Sequence, residues 1–60
     1  MMTGAELKAK RKELKLSLAD VSRQLECSAA TLCRWESGKS AIPLGAIKLF
    51  RLLNKLDTTK

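Results

Sequence analysis

The sequence contains no histidine and no tyrosine, and its only aromatic residues are Trp35 and Phe50. Without histidine the chain lacks the usual general base near neutral pH and the commonest metal ligand. Cysteine is almost as scarce. Cys27 and Cys33 alone cannot complete a four-ligand zinc site within one chain. No base, nucleophile pair or metal cluster can be assembled, so the expectation is a protein that is not an enzyme and carries no cofactor and no metal. No apolar run approaches the ~20 residues that a membrane span needs. Residues 1–15 carry charge throughout and lack the apolar segment of a signal peptide. The expected compartment is the cytoplasm, with reduced cysteines. At 60 residues the chain makes one domain, 1–60, too small for a cleft backed by a large core. Such a chain buries only about 60% of the surface it exposes when unfolded. Its stability should be marginal and easily raised by a bound partner.

What is present is Leu, Ile, Val and Ala, which suits a small helical core, together with 12 basic and 6 acidic residues. The net charge of +6 favours a polyanionic partner, nucleic acid first and anionic membrane second. A lysine-rich solvated surface is the other reading of the same charge.

Thr3-Gly4-Ala5-Glu6 predicts a capping box that opens a first helix. Leu7, Arg11 and Leu14 then share one face. Ser17 predicts the cap of a second helix, with Asp20 placing negative charge in its first turn and Leu16 and Val21 as a hydrophobic staple. Leu18, Val21, Ser22 and Leu25 face inward, and Ala19, Asp20 and Arg23 outward. The chain turns at Glu26-Cys27, and Ser28 caps a third helix over 29–37 that ends at Gly38, a natural left-handed cap. Leu32 and Trp35 point one way; Ala30, Cys33, Arg34 and Ser37 point the other, with Ala29 on the flank. Two short helices joined by a tight turn form the unit that places a recognition helix in the DNA major groove.

Pro43 is expected in the first turn of a fourth helix, from Leu44 to Leu53 or Leu56. Ala46, Ile47, Leu49, Phe50, Leu52, Leu53 and Leu56 cover an arc of roughly 220°, where a monomer's core needs only about 100°. The excess predicts self-association, with Leu49, Leu52, Leu53 and Leu56 at the interface. The alternative is that flanking residues fold over it. Residues 57–60 read as a frayed tail. Arg11, on the stripe of Leu7 and Leu14, must reach outward or meet an anion. Glu36 lies where it can form a bidentate pair with Arg11, locking the first helix to the third; two independent surface charges are the other possibility.

The segment Ser28-Ala29-Ala30-Thr31-Leu32-Cys33-Arg34-Trp35-Glu36-Ser37-Gly38-Lys39, with Pro43 four residues on, resembles the lambda-repressor-like helix-turn-helix family of phage repressors, Cro-type proteins and XRE-type regulators. The resemblance runs from about Leu7 to Leu53. It implies a compact all-α domain of four or five helices, with helices 2 and 3 as the helix-turn-helix, and it supports the Arg11–Glu36 pair. It also implies that Ala29, Ala30 and Arg34 meet base edges, with Cys33 beside them. Ser28, Ser37, Lys39 and Ser40 match phosphate-holding positions. Trp35 matches a core position and not a base-stacking one.

Three departures stand out. Leu18 replaces a polar residue, usually Gln, that contacts phosphate. Glu26 stands where the family favours Gly, at a cost of roughly 1 kcal/mol if left-handed. Ala41, Ile42 and Leu44 stand where several members are basic, so phosphate binding shifts to Arg23, Lys39 or lysines of the first helix.

The expected function is a sequence-specific DNA-binding transcriptional regulator: a small homodimeric repressor, phage or bacterial, reading an inverted-repeat operator. Arg34 would read guanine, Ala29 or Ala30 a thymine methyl, and DNA shape the rest. The alternatives are an antitoxin-type autorepressor that holds a protein partner on the fourth helix, and a protein-interaction module without DNA. Cys33 reads as a small residue tolerated beside DNA, or as a thiol able to cross-link dimers.

Overall fold

A computed structural model describes residues 2–56. The tail expected at 57–60 lies outside the described residues. Four helices and no strand occur among them: α1 (Gly4–Glu13), α2 (Leu18–Gln24), α3 (Ala29–Ser37) and α4 (Leu44–Leu53). Each helix supplies one side chain to the centre of the core. Leu7, Val21, Leu32 and Phe50 are sealed from solvent and touch one another. Burying each contributes roughly 1.5–3 kcal/mol, a large share of the stability of so small a domain. Leu14, Leu16, Leu18, Leu25, Cys27, Trp35 and Ile42 pack around this centre. No helix among the described residues is long and apolar enough to cross a membrane.

The first three helices start on hydroxyl caps. Thr3 accepts from the Glu6 N–H at 3.1 Å, and the Glu6 carboxylate accepts from the Thr3 N–H at 2.9 Å. Ser17 and Asp20 make the same reciprocal pair at 3.0 and 2.9 Å, a full capping box with Asp in place of the usual Glu or Gln. Ser28 accepts from the Thr31 N–H at 3.1 Å. Helix α4 has no side-chain cap. Pro43 stands one position outside it, not in its first turn as expected, and needs no N–H partner there.

All four helices end the same way. One residue at each end takes a left-handed conformation: Lys15 (φ 60), Glu26 (φ 55) and Lys55 (φ 57) directly after the cap, and Gly38 (φ 85) as the cap itself. The next N–H then reaches back five residues: Leu16 to the Arg11 carbonyl, Cys27 to Ser22, Lys39 to Arg34, and Leu56 to Arg51. These are Schellman ends, and only one of them uses glycine. In the other three, an apolar side chain follows the strained residue and packs on the core: Leu16, Cys27 and Leu56. Leu16 and Cys27 each do this twice, because each also precedes the serine cap of the next helix. Leu14-Lys15-Leu16-Ser17 and Leu25-Glu26-Cys27-Ser28 are therefore one turn used twice.

Glycine relieves the left-handed strain of roughly 1 kcal/mol and gives part of it back as unfolded-state entropy. Lys15→Gly and Glu26→Gly should each raise stability by up to about 0.5 kcal/mol, or a few degrees of melting temperature, in thermal scans by circular dichroism. A fall in melting temperature would show that the strain is absorbed elsewhere.

The end of α4 corrects one expectation. The helix stops at Leu53, where the Asn54 side chain donates to the Phe50 carbonyl at 2.9 Å. The left-handed Lys55 then turns Leu56 back against the core, so Leu56 leaves the face it was expected to share with Leu49, Leu52 and Leu53. Asn54 also donates to Gln24 Oε1 at 2.9 Å, fastening the end of α4 to α2.

Candidate nucleic-acid interface

Helix α3 is held by its inner face and by both ends. Leu32 is fully buried and Trp35 half-buried. At its C-terminal end α3 meets the start of α1 so closely that no side chain fits at Gly4. A Cβ there would collide with the Trp35 carbonyl oxygen and lie 2.9 Å from that of Glu36. Opposite helix ends thus meet, an arrangement their dipoles favour.

Arg11 completes the fixation. Its Nε donates to Glu36 Oε2 at 2.7 Å and its Nη2 to Glu36 Oε1 at 3.2 Å. Its Nη1 donates to the Leu16 carbonyl at 3.0 Å, a contact that the pairing of residue types did not reveal. The arginine and glutamate side chains are 11% and 6% exposed, so the pair is almost dry. One guanidinium therefore ties together α1, the turn into α2, and α3. Planar bidentate geometry of this kind is what arginine provides and lysine cannot.

The opposite face of α3 is open. Ala29, Ala30, Cys33, Arg34 and Ser37 are all exposed, and the structure brings them onto one surface. Among the described residues the Arg34 guanidinium has no hydrogen-bond or ion-pair partner. Its neighbours are small, so a flat or convex surface can come close to it. Lys39 and Ser40 are exposed just beyond Gly38.

Three candidate phosphate-binding side chains are partly committed within the chain. The Ser28 hydroxyl donates to Thr31 Oγ1 at 2.9 Å. The Ser37 hydroxyl donates to the Arg34 carbonyl at 3.1 Å. Arg23 lies on α2, where its Nη2 donates to Asp20 Oδ1 at 2.8 Å, leaving its other nitrogens to the solvent. The hydrogen bonds from Ser17, backbone first and then hydroxyl, with a smaller contribution from Arg23, hold the Asp20 carboxyl below the usual aspartate range.

Ser22 is buried, and its hydroxyl is satisfied by the Ala19 carbonyl at 3.0 Å. Of the two thiols, Cys33 is exposed on the open face, while burial raises the pKa of Cys27. Among the described residues no group of three or more His, Cys, Asp or Glu side chains is placed to hold a metal ion.

The arrangement is a rigid helix presenting one arginine among small side chains, preceded through a tight turn by a second helix. A family model described as a helix-turn-helix domain matches residues 3–58, nearly the whole chain. No curated protein and no solved structure matches the chain significantly. With α2 and α3 as the paired helices, the chain belongs to the helix-turn-helix domain family, consistent with the lambda-repressor-like character of its sequence.

Proposed function

We propose that this DNA-binding helix-turn-helix chain is a sequence-specific transcriptional repressor that acts as a homodimer on an inverted-repeat operator. In this reading residues 1–60 form one DNA-binding unit. Helix α3 enters the major groove, and a two-fold partner places its own α3 one turn away, about 34 Å along the duplex. The observation that carries the reading is the unpartnered Arg34 on a face otherwise made of Ala29, Ala30, Cys33 and Ser37. An arginine there matches guanine O6 and N7 in a bidentate contact, and the alanines can meet a thymine methyl. With few polar readers, DNA shape supplies the remaining discrimination. Ser28, Ser37, Lys39, Ser40 and the free nitrogens of Arg23 serve the backbone, the serines after rotating their hydroxyls outward. Repression follows from occupying a promoter.

The dimer rests on α4, where Leu52 is 66% exposed and Leu53 49% exposed, with Leu49 half-buried beside them. Water contact at such a leucine cluster is costly, and a second copy removes it.

Selection of binding sites from random duplex DNA tests the reading, since it yields both the sequence and the half-site spacing. On the selected site, Arg34→Ala should weaken binding by about 1–3 kcal/mol, with a much smaller loss on random duplex. Equal losses on the two DNAs, measured by fluorescence anisotropy, would make Arg34 a phosphate contact.

A further inference from the structure

Charge on α1 is segregated between its two flanks. One flank borders a groove lined by Glu6, Ala9, Lys10 and Glu13, with Arg51 of α4 on the far side. Both acids of the helix lie there, and Lys10 is paired with Glu13 at 3.0 Å. Lys12 also lines this groove. The other flank borders α3. Gly4 meets the α3 backbone and Arg11 meets Glu36, which fixes the direction of α3 from α1. At about 100° per residue, Lys8 falls within about 60° of both, on the side turned away from α4. Lys15 lies in the turn after α1, directly before Leu16, whose carbonyl receives Arg11. Lys8 and Lys15 are exposed, and among the described residues neither has an ion-pair partner. No acidic residue of α1 shares their side.

We infer that Lys8 and Lys15 extend the phosphate-binding surface from α3 onto α1, as a second line of contacts to the backbone of double-stranded DNA. The inference rests on the DNA-binding reading above and names contacts that the helix-turn-helix itself does not supply. Two observations favour a phosphate backbone as the occupant. Both lysines are exposed and, among the described residues, unpaired, on a chain of net charge +6, which favours a polyanion. The position on α2 where phosphate contact is expected holds Leu18, which packs on the core and has no polar side chain. Arg23, the nearest basic residue on that helix, is partly spent on Asp20. Lys8, in the middle of α1, and Lys15, in the turn that follows it, supply positive charge that Leu18 does not. Lysine suits the task, because a phosphate backbone asks for point charge rather than planar recognition.

The test is the salt dependence of duplex binding by the full chain. Each phosphate neutralised contributes about 0.9 to the slope of log K against log salt. The double variant Lys8→Gln/Lys15→Gln should lower that slope by nearly two. A control, Lys10→Gln/Lys48→Gln, removes the same charge from the groove flank of α1 and from the exposed side of α4, and should leave the slope almost unchanged. All three proteins should show the same helical circular dichroism, since the four lysines are largely solvent-exposed. Equal slopes for the two double variants would overturn the inference while leaving DNA binding intact. No binding by the unmodified chain to any duplex at low salt would overturn both.

Discussion

Arg11→Ala should unfold a large fraction of the protein at room temperature. The substitution removes three donors at once, two from Glu36 and one from the Leu16 carbonyl. What remains is a carboxylate whose side chain is only 6% exposed and has lost its counter-charge. Breaking such a pair from one side costs about 3–5 kcal/mol, because an uncompensated charge stays buried. A domain of this length has a total stability of roughly 3–9 kcal/mol, so the loss consumes much of it.

The double variant Arg11→Met/Glu36→Leu separates charge from packing. Replacing both ions with apolar groups of similar volume is often neutral or better, so most of the loss should be recovered. Arg11→Lys should fall between, since a point charge cannot serve Glu36 and Leu16 together. Urea unfolding followed by circular dichroism measures all three. A midpoint unchanged in Arg11→Ala would mean that the pair is not buried in solution.

Leu52→Lys should leave the fold intact and reduce operator affinity by 10²–10⁴-fold. At 66% exposure the Leu52 side chain contributes little to its own core. As part of a dimer interface it would hold the second α3 at a high effective concentration over the second half-site, and avidity of this kind is worth that factor without any new DNA contact. A lysine at the centre of the interface replaces apolar burial with two like charges. Sedimentation should show a monomer for the variant and a dimer for the unmodified chain at the same concentration. A monomeric unmodified chain at concentrations that saturate its operator would remove α4 from the mechanism. Leu52 suits the experiment better than Leu49, which is half-buried, or Leu56, which packs on the core.

The helix starts were legible because they are written in local chemistry. Thr3, Ser17 and Ser28 each accept from the third residue on, so residue type and spacing suffice to place them. Gly38 marks its own helix end for the same reason. Lys15 and Lys55 gave no such sign. Their left-handed turns are driven from outside, by Leu16 and Leu56 reaching the core, and no propensity of lysine announces that. Gly4 reads locally as part of a capping box, yet its reason is the carbonyl oxygens of Trp35 and Glu36, about thirty residues away in sequence. The open face of α3 was legible from periodicity and from the resemblance. The commitment of Arg23 to Asp20, and the asymmetry of charge across α1, depend on which neighbours the fold supplies.

The repeated turn has a consequence for how such a chain can vary. In Leu14-Lys15-Leu16-Ser17 and in Leu25-Glu26-Cys27-Ser28, every residue closes one helix, opens the next, or does both. Nothing in either connection is spare. One inserted residue would separate the apolar side chain from the serine and cost two helices a terminus. Length variation is therefore confined to the 39–43 loop and the chain ends, while the spacing of α1, α2 and α3 is fixed as a single unit. A lineage of such proteins can change what α3 reads by substitution, and can change its partner through α4. It cannot lengthen the two turns that aim the reading helix.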